Sequence, residues 1–138
     1  MFKKLLVAFD GSEPAMRAFE AALGIAEADQ AELTVLSVAQ PAEPATMVET
    51  SAMIESATDQ FEQWFDTLRA KAEQAGLSIQ TKVGVGHAAE QIIRIAGEEH
   101  ADLIVMGHRG KSLIKRWLLG SVSKRVISYA PCSVLIAR

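Results

Sequence analysis

The sequence predicts an α/β protein built on a parallel sheet with helices on both faces. Three observations predict it. Apolar strand-like runs alternate with amphipathic helix-length segments in the order β-α-β-α-β-α-β-α-β, the pattern of parallel strands joined by crossover helices. The first and fourth of these runs, ending at Phe9 and Met106, are continuously apolar, as strands buried on both faces are. A glycine-rich stretch, Gly107-His-Arg-Gly110 followed after nine residues by Gly120-Ser121, joins the fourth strand to the last helix. The chain has 138 residues and is 49% hydrophobic, which allows one sizeable core and fits a single domain over residues 1–138.

Lys4 to Phe9 reads as a buried strand stopped by the turn signal Asp10-Gly11-Ser12. Ser12-Glu13-Pro14 has the form of an N-cap with proline in the first helical turn. Ala15 to Ala28 is Ala-rich, with Phe19, Leu23 and Ala26 on one face, and forms the first helix. Glu32 to Ala39 is the second strand, and Gln40 to Thr46, with Pro41 and Pro44, is a loop. From about Val48 to Gln74, Ile54, Ala57, Phe61, Phe65, Leu68 and Ala72 recur at helical steps and make one apolar stripe. Trp64 lies beside that stripe and reads as packing. Gly76 is a helix stop. Leu77 to Val85 is the third strand, Ala88 to Glu99 a helix weakened by Gly97, and Ala101 to Met106 the fourth strand. Val122 to Tyr129 is the last helix and Ser133 to Ala137 the fifth strand.

Net charge is −3, which argues against a general nucleic-acid binder. Six of the 14 Lys and Arg fall between Gly107 and Arg125, a segment with no Asp or Glu; the rest of the chain carries all 17 acidic residues. A basic loop on an acidic body favours a small anion over a long polyanion. The single cysteine, Cys132, permits no intrachain disulfide and fits a reducing compartment. No apolar run approaches the ~18 residues that span a membrane, and Leu5 to Phe9 is too short for a signal-peptide core. A soluble cytoplasmic protein is the expectation.

A strand that runs into glycines and then a helix is suited to phosphate. The glycines admit close approach of backbone N–H groups, and the helix N-terminus adds unpaired donors and partial positive charge. Three motifs compete for this chemistry. Gly110-Lys111-Ser112 looks like the end of a P-loop, but Gly107 and Gly110 enclose two residues where a P-loop needs four. Gly107-x2-Gly110 is also similar to the RNA-clamping loop of KH domains, which joins two helices rather than leaving a strand. Gly84-Val-Gly86-His has the look of a dinucleotide fingerprint, without the acidic residue that should end the next strand; a tight β-to-α turn explains it. His87, His100 and His108 have no partners at metal-site spacing, and no nucleophilic triad can be argued, so neither a metal-ligand set nor a catalytic residue is assigned.

The full pattern Gly107-x2-Gly110-x9-Gly120-Ser121 resembles the ATP-binding signature of the universal stress protein family. The resemblance covers the whole chain, through Phe9-Asp10-Gly11-Ser12, Ala101-Asp-Leu-Ile-Val-Met-Gly107 and Ala130-Pro-Cys-Ser-Val-Leu-Ile136. It implies a Rossmann-like three-layer sandwich whose five-stranded parallel sheet has the order 3-2-1-4-5. It also implies the branch that binds ATP. Transferred by position, Asp10 would contact the ribose and the Val38 backbone the adenine. Met106 and Gly107 would flank the sugar and first phosphate. Gly110, Gly120, Ser121, Val122 and Ser123 would hold the phosphates by N–H groups and the two hydroxyls. Mg²⁺ would be carried by the phosphates, since the loop has no carboxylate to hold it. The resemblance further implies a homodimer through the C-terminal strand, and an apolar, uncharged edge at Ser133–Ala137 independently invites such pairing.

Two classes of function follow: a nucleotide-responsive stress or regulatory module, and a slow ATPase or phosphoryl-transfer enzyme. Phosphoryl transfer needs a positioned nucleophile and a base. Asp10 is the only carboxylate expected in the crevice, and the ribose contact already accounts for it, so binding is the favoured expectation.

Overall fold

Successive side chains of a strand point to opposite faces, and the central strands of this sheet are buried on both. Leu5, Val7, Leu33, Val35, Leu103 and Val105 share one buried cluster; Leu6, Leu36, Ile104 and Met106 belong to another. The computed structural model describes residues 1–43, 46–109 and 119–138. Its strands are β1 (Lys4–Ala8), β2 (Glu32–Ala39), β3 (Ile79–Val85), β4 (Leu103–Gly107) and β5 (Ser133–Ala137). They form one parallel sheet of order β3-β2-β1-β4-β5. The helices are α1 (Glu13–Asp29), α2 (Met47–Gln74), α3 (Ala88–Glu98) and α4 (Ser121–Tyr129). α1 and α2 cover the first face with Ala18, Phe19, Ala22, Phe65 and Leu68. α3 and α4 cover the second with Ile92, Ile95, Ala96 and Val126. The expected three-layer α/β architecture and strand order are therefore present.

Local chemistry sets the ends. Ser12 caps α1, its hydroxyl accepting from Ala15 N at 3.2 Å with Pro14 in the first turn, and the helix stops at Gln30 in the left-handed region at φ 54°. A capping box opens α2: Thr46 Oγ1 accepts from Glu49 N at 3.1 Å, and Glu49 Oε2 accepts from Thr46 N at 3.2 Å. Of the apolar stripe on α2, Phe61, Phe65, Leu68 and Ala72 are buried, while Ile54 and Ala57 lie nearer the rim.

Two strands start later than the apolar pattern predicts. Leu77 N donates to Ala72 O at 2.8 Å, closing the end of α2 over Gly76 at φ 74°, so β3 begins at Ile79 rather than Leu77. Ala101 N likewise closes α3 on Ala96 O at 2.9 Å, and the Asp102 carboxylate accepts from Lys3 N and Lys4 N. β4 therefore begins at Leu103 and runs on through Gly107. At the other side of β1, Asp29 Oδ2 accepts from Phe2 N at 2.8 Å and lies 3.3 Å from the terminal amine. The Phe2 N–H, helped by the ammonium against some desolvation, holds the Asp29 carboxyl below its usual value.

Candidate functional site

In an open parallel sheet, a crevice forms beyond the C-terminal strand ends where the strand order reverses. Here β1 is flanked by β2 and β4, with Leu5 to Val7 paired to both. The chain leaves β1 toward α1 on one face and leaves β4 toward α4 on the other. A cavity of about 600 Å³ opens there. Asp10, Val38, Met106, Gly107, Gly120, Ser121, Val122 and Ser123 all line it. Gly110, the remaining signature glycine, lies outside the described residues, as do Lys111, Lys115 and Arg116.

The lining divides by chemistry. Ala8, Leu36, Val38, Ala88, Ile92 and Met106 make an apolar slot at the ends of β1, β2 and β4 and against α3. Ala88 and Ile92 escaped the sequence reading, because α3 announces only an amphipathic helix and not which strand ends it overhangs. Gly86 at φ 135° and the half-exposed His87 make the short turn from β3 into α3, the tight β-to-α turn expected of Gly84-Val-Gly86-His.

The backbone of Val38 is placed by strand alternation. Leu36 O accepts from Phe9 N at 2.9 Å, so Leu36 directs its polar groups toward β1. Ala39 O accepts from Gly86 N on the β3 side. Val38, two residues beyond Leu36, therefore turns its N–H and C=O toward β1 as well, past the point where β1 has ended. A donor and an acceptor thus sit side by side at the rim of the apolar slot.

The opposite end is polar. Asp10 is the only carboxylate that lines the cavity among the described residues. Its Oδ1 accepts from Ser12 N at 3.0 Å, which ties the carboxylate to the turn that opens α1. Arg109 lines the same cavity, so one acidic and one basic residue contribute to its wall. Gly120 is the N-cap of α4 and supplies no side-chain cap. Helix geometry gives the N–H groups of Ser121, Val122 and Ser123 no partner within α4, and all three residues face the cavity. The helix end is thus a cluster of donors with partial positive charge.

Two signature residues carry structural duties that spacing does not reveal. Gly107 abuts α1: a Cβ there would lie 2.6 Å from Pro14 Cβ and 2.8 Å from the Pro14 carbonyl carbon. Ser123 is 2% exposed, and its hydroxyl donates to Gly107 O at 2.9 Å or His108 O at 3.2 Å. Its single proton holds α4 to the end of β4. His108 extends that junction, donating from N to Ala137 O of β5 at 2.7 Å and accepting from Gly120 N at 2.7 Å. Of the basic residues on α4, Arg125 lies 3.8 Å from Glu90 and over the Tyr129 ring at 5.5 Å, away from the cavity lining. Cys132 is half-buried beside the second cluster, and burial pushes its thiol pKa up.

Among the described residues, no helix is long and apolar enough to cross a membrane. The chain is 35% identical to the universal stress protein YxiE of Bacillus subtilis, with all of both chains covered. It superposes on the universal stress protein UspA from Lactobacillus plantarum with a TM-score of 0.86 at 27% identity, covering 99% of this chain and 98% of that one. A universal stress protein solved in complex with cAMP aligns at TM-score 0.68 and 27% identity, covering 99% of this chain and 97% of that one. The profile of the universal stress protein family matches residues 1–138, and the chain belongs to that family.

Proposed function

We propose that this chain binds ATP in the crevice between β1 and β4 and acts as a nucleotide-responsive regulatory module. The observation that carries the reading is the uncapped N-terminus of α4 facing the same cavity as an apolar slot. The slot suits a planar base, and the paired donor and acceptor of Val38 suit the edge of adenine. Asp10, an acceptor-only group when ionised, suits ribose hydroxyls. The N–H groups of Ser121, Val122 and Ser123 suit phosphate oxygens, with Ser121 adding the hydroxyl that Ser123 commits elsewhere. Gly110 completes the phosphate loop in this reading. Mg²⁺ rides on the phosphates, because the one carboxylate lining the described cavity is engaged at the ribose end. The cAMP complex of a related protein supports an adenine nucleotide as the ligand class. The protein works in the cytoplasm as a homodimer paired through β5, an edge strand whose Val134 to Ala137 are only half-buried.

Calorimetric titration of MgATP into the wild type and into Gly120→Val tests the reading. A Cβ at Gly120 would already lie 3.4 Å from Arg109 Cα, so the valine methyls crowd the phosphate end at a backbone φ of −67° that valine tolerates. Saturable binding that is lost in the variant is expected. Absence of binding to nucleotide-free, folded wild type overturns the proposal. Fast hydrolysis abolished by the same substitution would favour an enzyme over a binding module.

A further inference from the structure

We propose that Trp64 is a positioning residue for Asp10, and that through it α2 sets the selectivity of the site for ribose over deoxyribose. This inference rests on the nucleotide reading above.

Gly11 sits at φ 82°, and a Cβ there would fall 2.4 Å from Trp64 Cζ2 and 2.9 Å from Cε2 and Cη2. The six-membered ring of the indole therefore lies against the Gly11 backbone with no clearance. The indole is itself fixed. It stacks on Phe61 with centroids 5.2 Å apart at 29°, and meets Phe9 edge-on at 5.6 Å and 77°. Phe9 and Gly11 bracket Asp10, so the two residues on either side of the carboxylate both rest on one side chain of α2.

The other end of the turn is pressed from the opposite partner. Gly107 leaves no room for a side chain against Pro14. The segment from Phe9 to Pro14 is thus held between α2 and the end of β4. Within it, the Asp10 carboxylate is bonded to Ser12 N, so it moves with the turn rather than independently. A carboxylate accepts from hydroxyls within a narrow range of distance and angle. A shift of the turn weakens the ribose contact while leaving the α4 donors untouched, because they belong to another element.

Trp64→Phe tests this. It keeps an aromatic ring for Phe9 and Phe61 and withdraws the ring that supports Gly11. MgATP and its 2′-deoxy and 3′-deoxy analogues are titrated into the wild type, Asp10→Asn and Trp64→Phe, with melting curves confirming folded protein. Loss of a hydrogen bond to a charged acceptor is about a tenfold or greater change in affinity. The wild type should therefore prefer ATP over at least one deoxy analogue by about that factor. Asp10→Asn should erase most of the preference, and Trp64→Phe should reduce it while ATP still binds. A purely structural role for Trp64 would weaken all three ligands alike and leave the ratio unchanged, which overturns the inference. A wild type that binds ATP with no ribose preference also overturns it and leaves the nucleotide reading standing. A wild type that binds none of the three overturns both.

Discussion

Two signature glycines should respond very differently to the same substitution, one losing stability and the other holding it. In Gly107→Ala the new methyl meets Pro14 Cβ at 2.6 Å, the Pro14 carbonyl carbon at 2.8 Å and Ala15 N at 3.1 Å. Two of those atoms are backbone, and β4 is buried along its whole length, so no flexible side chain can yield. Overpacking of this kind costs about 1–3 kcal/mol, and backbone neighbours place it in the upper part of that range. The stiffer unfolded chain returns about 0.5 kcal/mol. The net loss is about 2 kcal/mol, or about 8 °C in Tm for a chain of this size. In Gly120→Ala the methyl finds Arg109 Cα at 3.4 Å and His108 O at 3.5 Å, ordinary contact, at φ −67°. Alanine is a poorer N-cap than glycine by about 0.5–1 kcal/mol. A similar gain from the unfolded chain offsets it, so the Tm should stay within about 2 °C. Paired thermal melts and urea titrations of the two variants make the comparison. Equal shifts, or a neutral Gly107→Ala, would refute the assignment of Gly107 to helix–strand packing.

Three further outcomes are expected. Ser123→Ala removes the buried hydroxyl that ties α4 to Gly107 O and His108 O, and should cost about 1–2 kcal/mol in urea unfolding; an unchanged midpoint would count against that junction. Phe65→Ala, at a position fully buried beneath the sheet, should cost about 3–5 kcal/mol, and a loss below about 1 kcal/mol would contradict the docking of α2. Asp29 has a folded pKa below its ordinary value of 3.8, so its stabilisation is present above that value and fades as pH falls through the folded pKa. The urea midpoints of wild type and Asp29→Asn should therefore differ at pH 7 and converge in acid; a gap independent of pH would refute the N-terminal clip.

The fold was legible because its strands are apolar runs punctuated by turn chemistry. β2 and β5 occupy the predicted residues. The starts of β3 and β4 were not legible. Leu77 and Ala101 are apolar like strand residues, yet their N–H groups close the preceding helices, and that choice depends on the helix end rather than on hydrophobicity. At the site, the spacing of Gly107, Gly120 and Ser121 marks where a strand hands over to a helix. Spacing does not say which neighbour each residue meets. Gly107 has Pro14 above it, Ser123 spends its hydroxyl on two carbonyls, and Trp64 lies beneath Gly11. Those contacts join segments far apart in the chain, and no local pattern encodes them.

The position of β1 has a consequence for synthesis. The first strand made is the middle strand of the finished sheet, and its second neighbour, β4, is the fourth. While the ribosome extends the chain from Ala39 to Gly107, β1 can pair with β2 on one side only. At about 5–20 residues per second that interval is about 3–14 s. Leu5, Leu6 and Val7 stay half-paired throughout it, so the nascent chain offers an apolar edge for seconds before the crevice that defines the mature protein can exist.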